Sequence, residues 1–462
     1  MVKVDHDGRV QCAWRLCAGQ QVGLALDEDD AARVLERPVL RVADGGVDVV
    51  LIHRQARAVH EPLHVRRIID AMSPTTEAVI DGTIDLACSP LSSPMTLDAI
   101  IIGAGPIGIA TAVALKREGV AFVHVEAGHI GATIGWWAPG TRFFSSPERI
   151  AIAGVPLVTP TQDKATREEY LAYLRAVVEQ FDLRIQTRTR VMRIDSLAQS
   201  SIQRRKQTRA GAPTVETPDG GTGEAARFRV TAESLAGPRT YETRNVIVAM
   251  GGMHRPRLLN IPGEDLPHVS HYLRDPHEYF RRRVLIIGGR NSAVEAAIRL
   301  ARVGACVALS YRGEAIDKER IKYWLWPEFR SMVKSGRITF CPATIALRIT
   351  PSHVTLRDAS GATANVEADD VLALIGYEMD TALLEGAGAE LRGEGHAPRF
   401  NHDTMETTVP GLFVAGTATA GTQSRFRVFI ENCHDHADRI AAVIAGKPPP
   451  RTSGPLIEMP ES

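Results

Sequence analysis

Apolar residues in this chain come mostly in short runs bounded by glycine. The longest patterned stretch is residues 97–126, LDAIIIGAGPIGIATAVALKREGVAFVHVE. Its first run, 99–102, is too short and too closely followed by glycine for a helix, so it predicts a buried strand. Pro106 then opens a helix that the pattern carries to about Glu118, with Gly119 as its stop. A second run, 121–125, predicts a strand ending on Glu126. The same order of strand, glycine turn, helix and strand returns at Val284, VLIIGGRNSAVEAAIRLARVGACVALSYRG. Apolar runs at 245–249, 369–376 and 411–416 predict further buried strands. Two amphipathic stretches predict helices. One covers 166–180, with Thr166 and Glu169 in capping-box spacing and Tyr170, Leu171, Leu174 and Val177 on one face. The other starts near Asn432 or Cys433 and runs to Ala445, with Ala437, Ile440, Ala441 and Ile444 inward and Gly446 as its stop. The pattern predicts an α/β fold with two Rossmann-like, dinucleotide-binding domains.

The glycines of the first turn, Gly103, Gly105 and Gly108, have G-x-G-x-x-G spacing. Gly103 permits a sharp turn. Gly105, lacking a Cβ, lets a pyrophosphate approach the backbone. Gly108 lets helix and strand pack closely, and the free N–H groups of the helix N-terminus face the phosphates. Glu126 lies 18 residues after Gly108, at the strand end where an acid hydrogen-bonds ribose hydroxyls. A merely structural glycine turn would not call for that acid. In the second turn Gly288 and Gly289 come first, Ala293 is the third small residue, and Arg290 takes the place of the second glycine. An arginine there either crowds the phosphate path or contacts phosphate itself. The alternative is a structural α/β repeat. The strand after it ends in Tyr311-Arg312 with no acid. An acid there suits the 2′-hydroxyl of NAD, whereas an arginine pairs with the 2′-phosphate of NADP, so NADPH is expected over NADH.

Charge and composition remove other classes. Lys+Arg and Asp+Glu are both 54 in 462 residues, a balance that gives no footprint for nucleic acid or a membrane surface. No long apolar run predicts a membrane span. The six cysteines have neither zinc-site nor disulfide-scaffold spacing, which points to a reducing, cytoplasmic setting, and no metal site is expected. Residues 1–95 carry little pattern beyond a short helix at 27–36 and a strand at 47–52. They read either as a small module or as an extension upstream of a fold that starts at Met95. The polar composition favours the second reading, and the extension is expected to be dispensable for cofactor binding. After Glu126, Trp136 and Trp137 stand between glycines ahead of Phe143-Phe144-Ser145-Ser146. These aromatics either plug a loop or line a flat cofactor ring. Residues 197–224 read as a solvated excursion and 448–462 as a mobile tail.

Longer stretches carry a resemblance: GAGPIG (103–108), FFSSPERIAIAGVP (143–156), IPGEDLP (261–267), HYLRDPHEYF (271–280), VLIIGGRNSAVEAA (284–297), YRG (311–313), ALIGY (373–377), GLFVAG (411–416) and FIEN (429–432). From Leu97 to about Ala445 the chain resembles the YpdA-type bacillithiol disulfide reductase family, within the thioredoxin-reductase-like flavoproteins. The resemblance implies an NAD(P)H domain inserted into an FAD domain. Its expected bounds are FAD domain 96–262 and 377–446, NADPH domain 263–376, extension 1–95 and tail 447–462. It implies electron flow from NADPH through FAD to a low-molecular-weight disulfide, the two rings stacked between the domains. The candidate FAD contacts are Gly103, Gly105, Pro106, Ile107, Gly108, Glu126, Phe144, Ser145, Gly251, Gly416 and Thr417. Related flavoproteins often have Asp where Thr417 stands, which implies a weaker ribityl contact. The candidate NADPH contacts are Gly288, Gly289, Arg290, Asn291, Ser292, Ala293, Arg312 and Gly376. A small-molecule acceptor and a homo-oligomer are expected, with no nucleic-acid or membrane partner.

One departure bears on mechanism. The family is expected to carry a reactive cysteine just before the third glycine, where this chain has Ile107. Isoleucine cannot perform thiol exchange. Cys433 is then the candidate thiol. It lies at the start of the final helix, whose dipole would lower its pKa, with His434 and His436 nearby. The alternative makes Cys433 a small buried residue, with reduced flavin passing electrons directly to a non-thiol acceptor or to oxygen. Two other functions compete. A flavin-dependent monooxygenase would show F-x-G-x-x-x-H, for which this chain offers Ile261, Gly263 and Pro267, with His268 one position late. A non-catalytic flavin- or nicotinamide-sensing protein would keep both sites without turnover.

Overall fold

The computed structural model describes residues 97–197, 225–423 and 427–450 throughout and, among the first 50 residues, the backbone of five strands. The chain divides into two units, Met1–Ser89 and Pro90–Ser462. In the first, Val2–Val4, Val10–Arg15 and Gln21–Leu26 form an antiparallel sheet, and Val39–Ala43 pairs antiparallel with Gly46–Val50. Gly46–Val50 is the strand expected at 47–52. The helix expected at 27–36 lies outside the described residues, as do nearly all of the excursion at 197–224 and most of the tail.

The second unit opens with β1 (Leu97–Ile102), α1 (Pro106–Arg117) and β2 (Phe122–Val125). α1 is buried from Ile107 to Leu115 because it lies between the sheet and the final helix, which leaves only its last turn to carry Lys116 and Arg117. α2 (Arg167–Gln180) starts in the expected capping box: Glu169 N donates to Thr166 Oγ1, and Thr166 N donates to Glu169 Oε2. Tyr173 joins its buried face, where its hydroxyl takes up the backbone of Ile152 and Val155. Then come β3 (Ile185–Gln186), β4 (Thr189–Ser196), β5 (Phe228–Ser234) and β6 (Gly237–Val248). The sheet order is β3-β2-β1-β6-β5-β4. β6 is longer than the run at 245–249 predicts. Its first half is a polar antiparallel ribbon with β5, where Arg229 pairs with Glu242 on the solvent side, and such a ribbon has no apolar signal.

A second sheet follows: β7 (Val269–Ser270), β8 (Arg283–Ile287), α3 (Asn291–Arg302), β9 (Cys306–Ser310), α4 (Leu325–Lys334) and β10 (Ile338–Cys341). An unforeseen antiparallel meander, β11 (Ile345–Ile349), β12 (His353–Arg357) and β13 (Thr363–Glu367), precedes β14 (Asp370–Ala373). The parallel order is β7-β14-β8-β9-β10. β15 (Leu412–Val414) then returns to the first sheet, parallel to β6 with Val246 opposite Leu412, and α5 (His434–Ile444) closes the fold against α1. The second sheet is thus inserted between two strands of the first. No described helix is long and apolar enough to cross a membrane.

Candidate functional site

β1, β6 and β15 are parallel neighbours whose C-terminal ends open on one crevice, where ligands bind in open α/β sheets. Gly103 has φ 106°, and a Cβ there would meet Ala249 O at 2.6 Å. A Cβ on Gly108 would lie 2.0 Å from Gly103 O, so helix and turn meet as closely as the motif requires. A Cβ on Gly105 would meet nothing within 4 Å, which leaves room in front of the α1 N-terminus, begun by Pro106 and free of any side-chain cap. Glu126 is 9% exposed; its Oε2 accepts from Ala104 N and its Oε1 from Gly128 N, both at 2.7 Å. Each oxygen keeps a lone pair for a hydroxyl donor. His124, which the sequence reading did not single out, is buried behind the turn. Burial pushes its pKa down to about 4, and its Nε2 makes a 3.0 Å hydrogen bond with Gly103 O. A carbonyl only accepts, so Nε2 carries the proton of a neutral ring.

The other first-site candidates gather at the same crevice. Ile107 is 5% exposed and lies against Gly416, where a Cβ would be 3.1 Å from that of Ile107. Gly416 N donates to His436 Nδ1 at 3.1 Å, and burial holds the His436 pKa down to about 4, which keeps this nitrogen an acceptor. A Cβ on Gly251 would lie 3.5 Å from Thr417 Oγ1. Ser145 is buried, and Phe144 stacks on Trp324 of the second sheet's layer at 5.9 Å and 23°. These residues fit FAD: an open approach to a helix N-terminus, a close glycine turn and an acid at the neighbouring strand end.

At the second turn Gly288 has φ 148°, and a Cβ would meet Leu374 O at 2.4 Å. A Cβ on Gly289 would strike the Tyr311 ring, at 2.2 Å from its nearest atom, so that ring covers the turn. Arg290 caps α3 with φ −117°, a conformation that needs no glycine. Ala293 is buried, Ser292 is exposed, and Asn291 Oδ1 accepts from Lys322 N at 2.6 Å. Burial lowers the Arg290 pKa, and the guanidiniums of Arg320, Arg257 and Arg312 lower it further. The Nε of Arg257 is buried without a hydrogen-bond partner among the described residues. Arg257 N donates to Gly376 O at 2.9 Å, so Gly376 and this arginine belong to the same mouth. Four guanidiniums brought together suit a polyanion such as the phosphates of NADPH. Arg257 and Arg320 escaped the sequence reading because both lie in connecting segments outside any motif.

One loop links the two turns. Lys322 Nζ binds Glu295 Oε2 at 3.0 Å and Arg142 O at 2.9 Å. Arg299, one helical turn after Glu295 on α3, donates to Thr141 Oγ1 at 3.0 Å and to Pro139 O. The two tryptophans part company. Trp137 packs on Phe143 in the first core at 4.7 Å, while Trp136, 38% exposed, meets Tyr272 edge-on at 5.6 Å.

The expected lowering of the Cys433 pKa is corrected. This residue caps α5 but is wholly buried, and burial pushes its thiol well up, overriding the helix dipole. His434 and His436 are engaged elsewhere, with Arg149 O and Gly416 N. The other described cysteines, exposed Cys306 and half-buried Cys341, belong to the second sheet, whereas Ile107 is on α1 against the first.

The family model described as pyridine nucleotide-disulphide oxidoreductase matches residues 100–214 and 222–416. The chain belongs to this family. It is 34% identical over 347 residues to the bacilliredoxin reductase Bdr of Bacillus subtilis, covering 75% of this chain and 97% of that one. The structure of the bacillithiol disulfide reductase Bdr (YpdA) from Bacillus cereus superposes with a TM-score of 0.66 at 33% identity, over 75% of this chain and 98% of that one. A ferredoxin–NADP reductase of Ignicoccus hospitalis is 25% identical, covering 70% of this chain and 90% of that one. The chain is therefore a homologue of Bdr with the fold of two-domain FAD/NAD(P)H oxidoreductases.

Proposed function

We propose that this chain takes electrons from NADPH onto bound FAD and passes them to a small acceptor with no thiol of its own in the relay. The acceptor is a low-molecular-weight disulfide of the bacillithiol type, as the names of its relatives suggest, or another small oxidant. The carrying observation is the pair of dinucleotide turns, one completed by Glu126 and the other surrounded by arginines, with α3 fastened to the loop beside the first. Bound FAD supplies the two-electron carrier between NADPH and acceptor. The chain's own residues bind and orient. Gly103, Gly105, Pro106, Ile107 and Gly108 admit the pyrophosphate to the α1 N-terminus, and Glu126 accepts from ribose hydroxyls. Phe144, Ser145, Gly251, Gly416 and Thr417 line the flavin side. Gly288 through Ala293, Arg312 and Gly376 hold NADPH, joined by Arg257 and Arg320. In this reading 96–262 with 377–446 is the FAD domain and 263–376 the NADPH domain, in a cytoplasmic homo-oligomer.

Ile107 and the raised pKa of buried Cys433 support the thiol-free relay. The monooxygenase reading has less support. His268 precedes β7, and its carbonyl accepts from Val371 N at the N-terminal end of the second sheet, opposite the nucleotide mouth. The test is NADPH oxidation by purified protein with disulfides, quinones and dyes, in parent and Cys433→Ser. Turnover that survives the substitution agrees with the proposal. Disulfide reduction abolished by Cys433→Ser would refute the thiol-free relay.

A further inference from the structure

The loop 136–144 is held along both edges. One edge is tied to α2: Arg167 N donates to Thr141 O at 2.8 Å, Phe143 N to Ala165 O at 2.9 Å, and Gly140 N to Glu168 Oε2 at 3.0 Å. The other edge is tied to residues packed around the second sheet. Arg299 of α3 donates to Thr141 Oγ1 and Pro139 O, and Lys322 Nζ donates to Arg142 O. Gly140, at φ 73°, turns the chain so that both its neighbours face Arg299, and a Cβ there would lie 3.9 Å from Arg299 Nη2. Ring contacts of Phe144 with Trp324 and of Trp136 with Tyr272 flank these bonds. Arg299 is half-buried, and its charge is met from both sides, by Glu295 and Asp275 and by Glu168 of α2.

Each end of this arrangement leads to a cofactor site. α3 begins at the second nucleotide turn, and Arg299 lies about two turns along the same helix. The loop runs directly into Phe144 and Ser145, the candidate flavin-facing residues. A helix transmits position along its axis, so fastening α3 at Arg299 also fixes its N-terminus relative to that loop.

Resting on the NADPH–FAD reading above, we propose that Arg299 is a positioning residue for hydride transfer. By holding Pro139 and Thr141 it seats α3, and with it the nicotinamide nucleotide, against the flavin loop. The step moves a hydride, two electrons with one proton, from NADPH to FAD and leaves NADP+ and reduced flavin. A misplacement of about 1 Å costs such a step about a hundredfold in rate, so an arginine that touches neither ring governs it through distance.

The test compares full-length parent, Arg299→Ala and Thr141→Val, with Arg302→Ala as control because Arg302 pairs with Glu328 of α4 on the second sheet's own side. Flavin reduction is followed by stopped flow across NADPH concentrations. Arg299→Ala should slow the saturating rate about tenfold to a hundredfold, with half-saturation by NADPH and FAD affinity held within about twofold. Thr141→Val keeps Arg299 but removes its hydroxyl acceptor, so it should slow the same step by a smaller factor. Reduction by dithionite, which needs no nicotinamide, should be equal in all four proteins. In flavin-free protein, hydrogen exchange of peptide 136–144 should quicken in Arg299→Ala and Thr141→Val and stay unchanged in Arg302→Ala. A saturating rate unchanged in both Arg299→Ala and Thr141→Val would overturn the proposal. Weakened NADPH binding at an unchanged saturating rate would also overturn it, by making Arg299 a binding residue. Lost FAD or altered dithionite reduction would mark a structural role and overturn it as well. If Arg299→Ala does not fold, Thr141→Val decides by the same criteria. A parent whose bound FAD stays oxidised with NADPH would overturn the NADPH–FAD reading itself, whereas the other outcomes overturn the positioning role alone.

Discussion

Replacing Arg312 by alanine should weaken NADPH and spare NADH. Arg312 stands just after β9 in a group with Arg257, Arg290 and Arg320; the Arg290 pKa is lowered first by burial and then by the other three guanidiniums. A charge-assisted hydrogen bond contributes about 1.5–3 kcal/mol, so its loss should weaken NADPH about tenfold to a hundredfold. NADH has no 2′-phosphate to lose. Without nucleotide the variant should melt no lower than the parent, because one like charge has left the cluster. A ligand at a hundred times its Kd stabilises a protein by about 2.7 kcal/mol. If the Kd weakens about thirtyfold, the same NADPH concentration stabilises the variant by only about 0.9 kcal/mol. The assay is thermal denaturation with and without each nucleotide, alongside steady-state titration of both. Equal losses with NADPH and NADH, or a lower melting temperature without nucleotide, would make Arg312 structural and refute the assignment.

Two further outcomes follow from buried charges. Lys322 and Glu295 are 11% and 15% exposed, so Lys322→Ala takes the hydrogen-bonded partner from a mostly buried carboxylate, leaving it the charge of Arg299 one turn along α3, and should cost about 1.5–3 kcal/mol in urea unfolding. The double change Lys322→Met with Glu295→Leu should recover much of this, and a single-variant loss below about 1 kcal/mol would contradict the buried pair. His124 and His436 both have folded pKa values lowered by burial from 6.5 to about 4. The unfolded chain therefore binds their protons first as pH falls, and stability drops between pH 6.5 and about 4, by up to about 1.4 kcal/mol per pH unit for each histidine. Melting curves across this window should show a shallower fall for His436→Asn, and an unchanged slope would contradict the assignment.

The parts of the fold legible in the sequence were those with strong local grammar. The β1–α1–β2 and β8–α3–β9 units announce themselves through apolar runs, glycines and helix stops, and α2 through its Thr166–Glu169 box. The meander β11–β13 and the outer half of β6 were not, because exposed antiparallel ribbons carry polar side chains and are held by pairing across the sheet. In the site, spacing pointed to Gly103, Gly108 and Glu126, whose roles are local. Arg257 and His436 make their contacts with Gly376 and Gly416 across long sequence separations, and those surroundings exist only once the strands and α5 converge. Cys433 shows the limit of reading charge from position. The start of a helix suggests a thiolate, but burial decides the thiol.

The most direct test of the account is anaerobic titration of the purified, FAD-loaded chain with NADPH, followed through the visible flavin absorbance. The account predicts a yellow protein whose absorbance bleaches with about one NADPH per flavin and much less readily with NADH. A well-folded protein that takes up no FAD, or bound FAD that NADPH leaves oxidised, would contradict it.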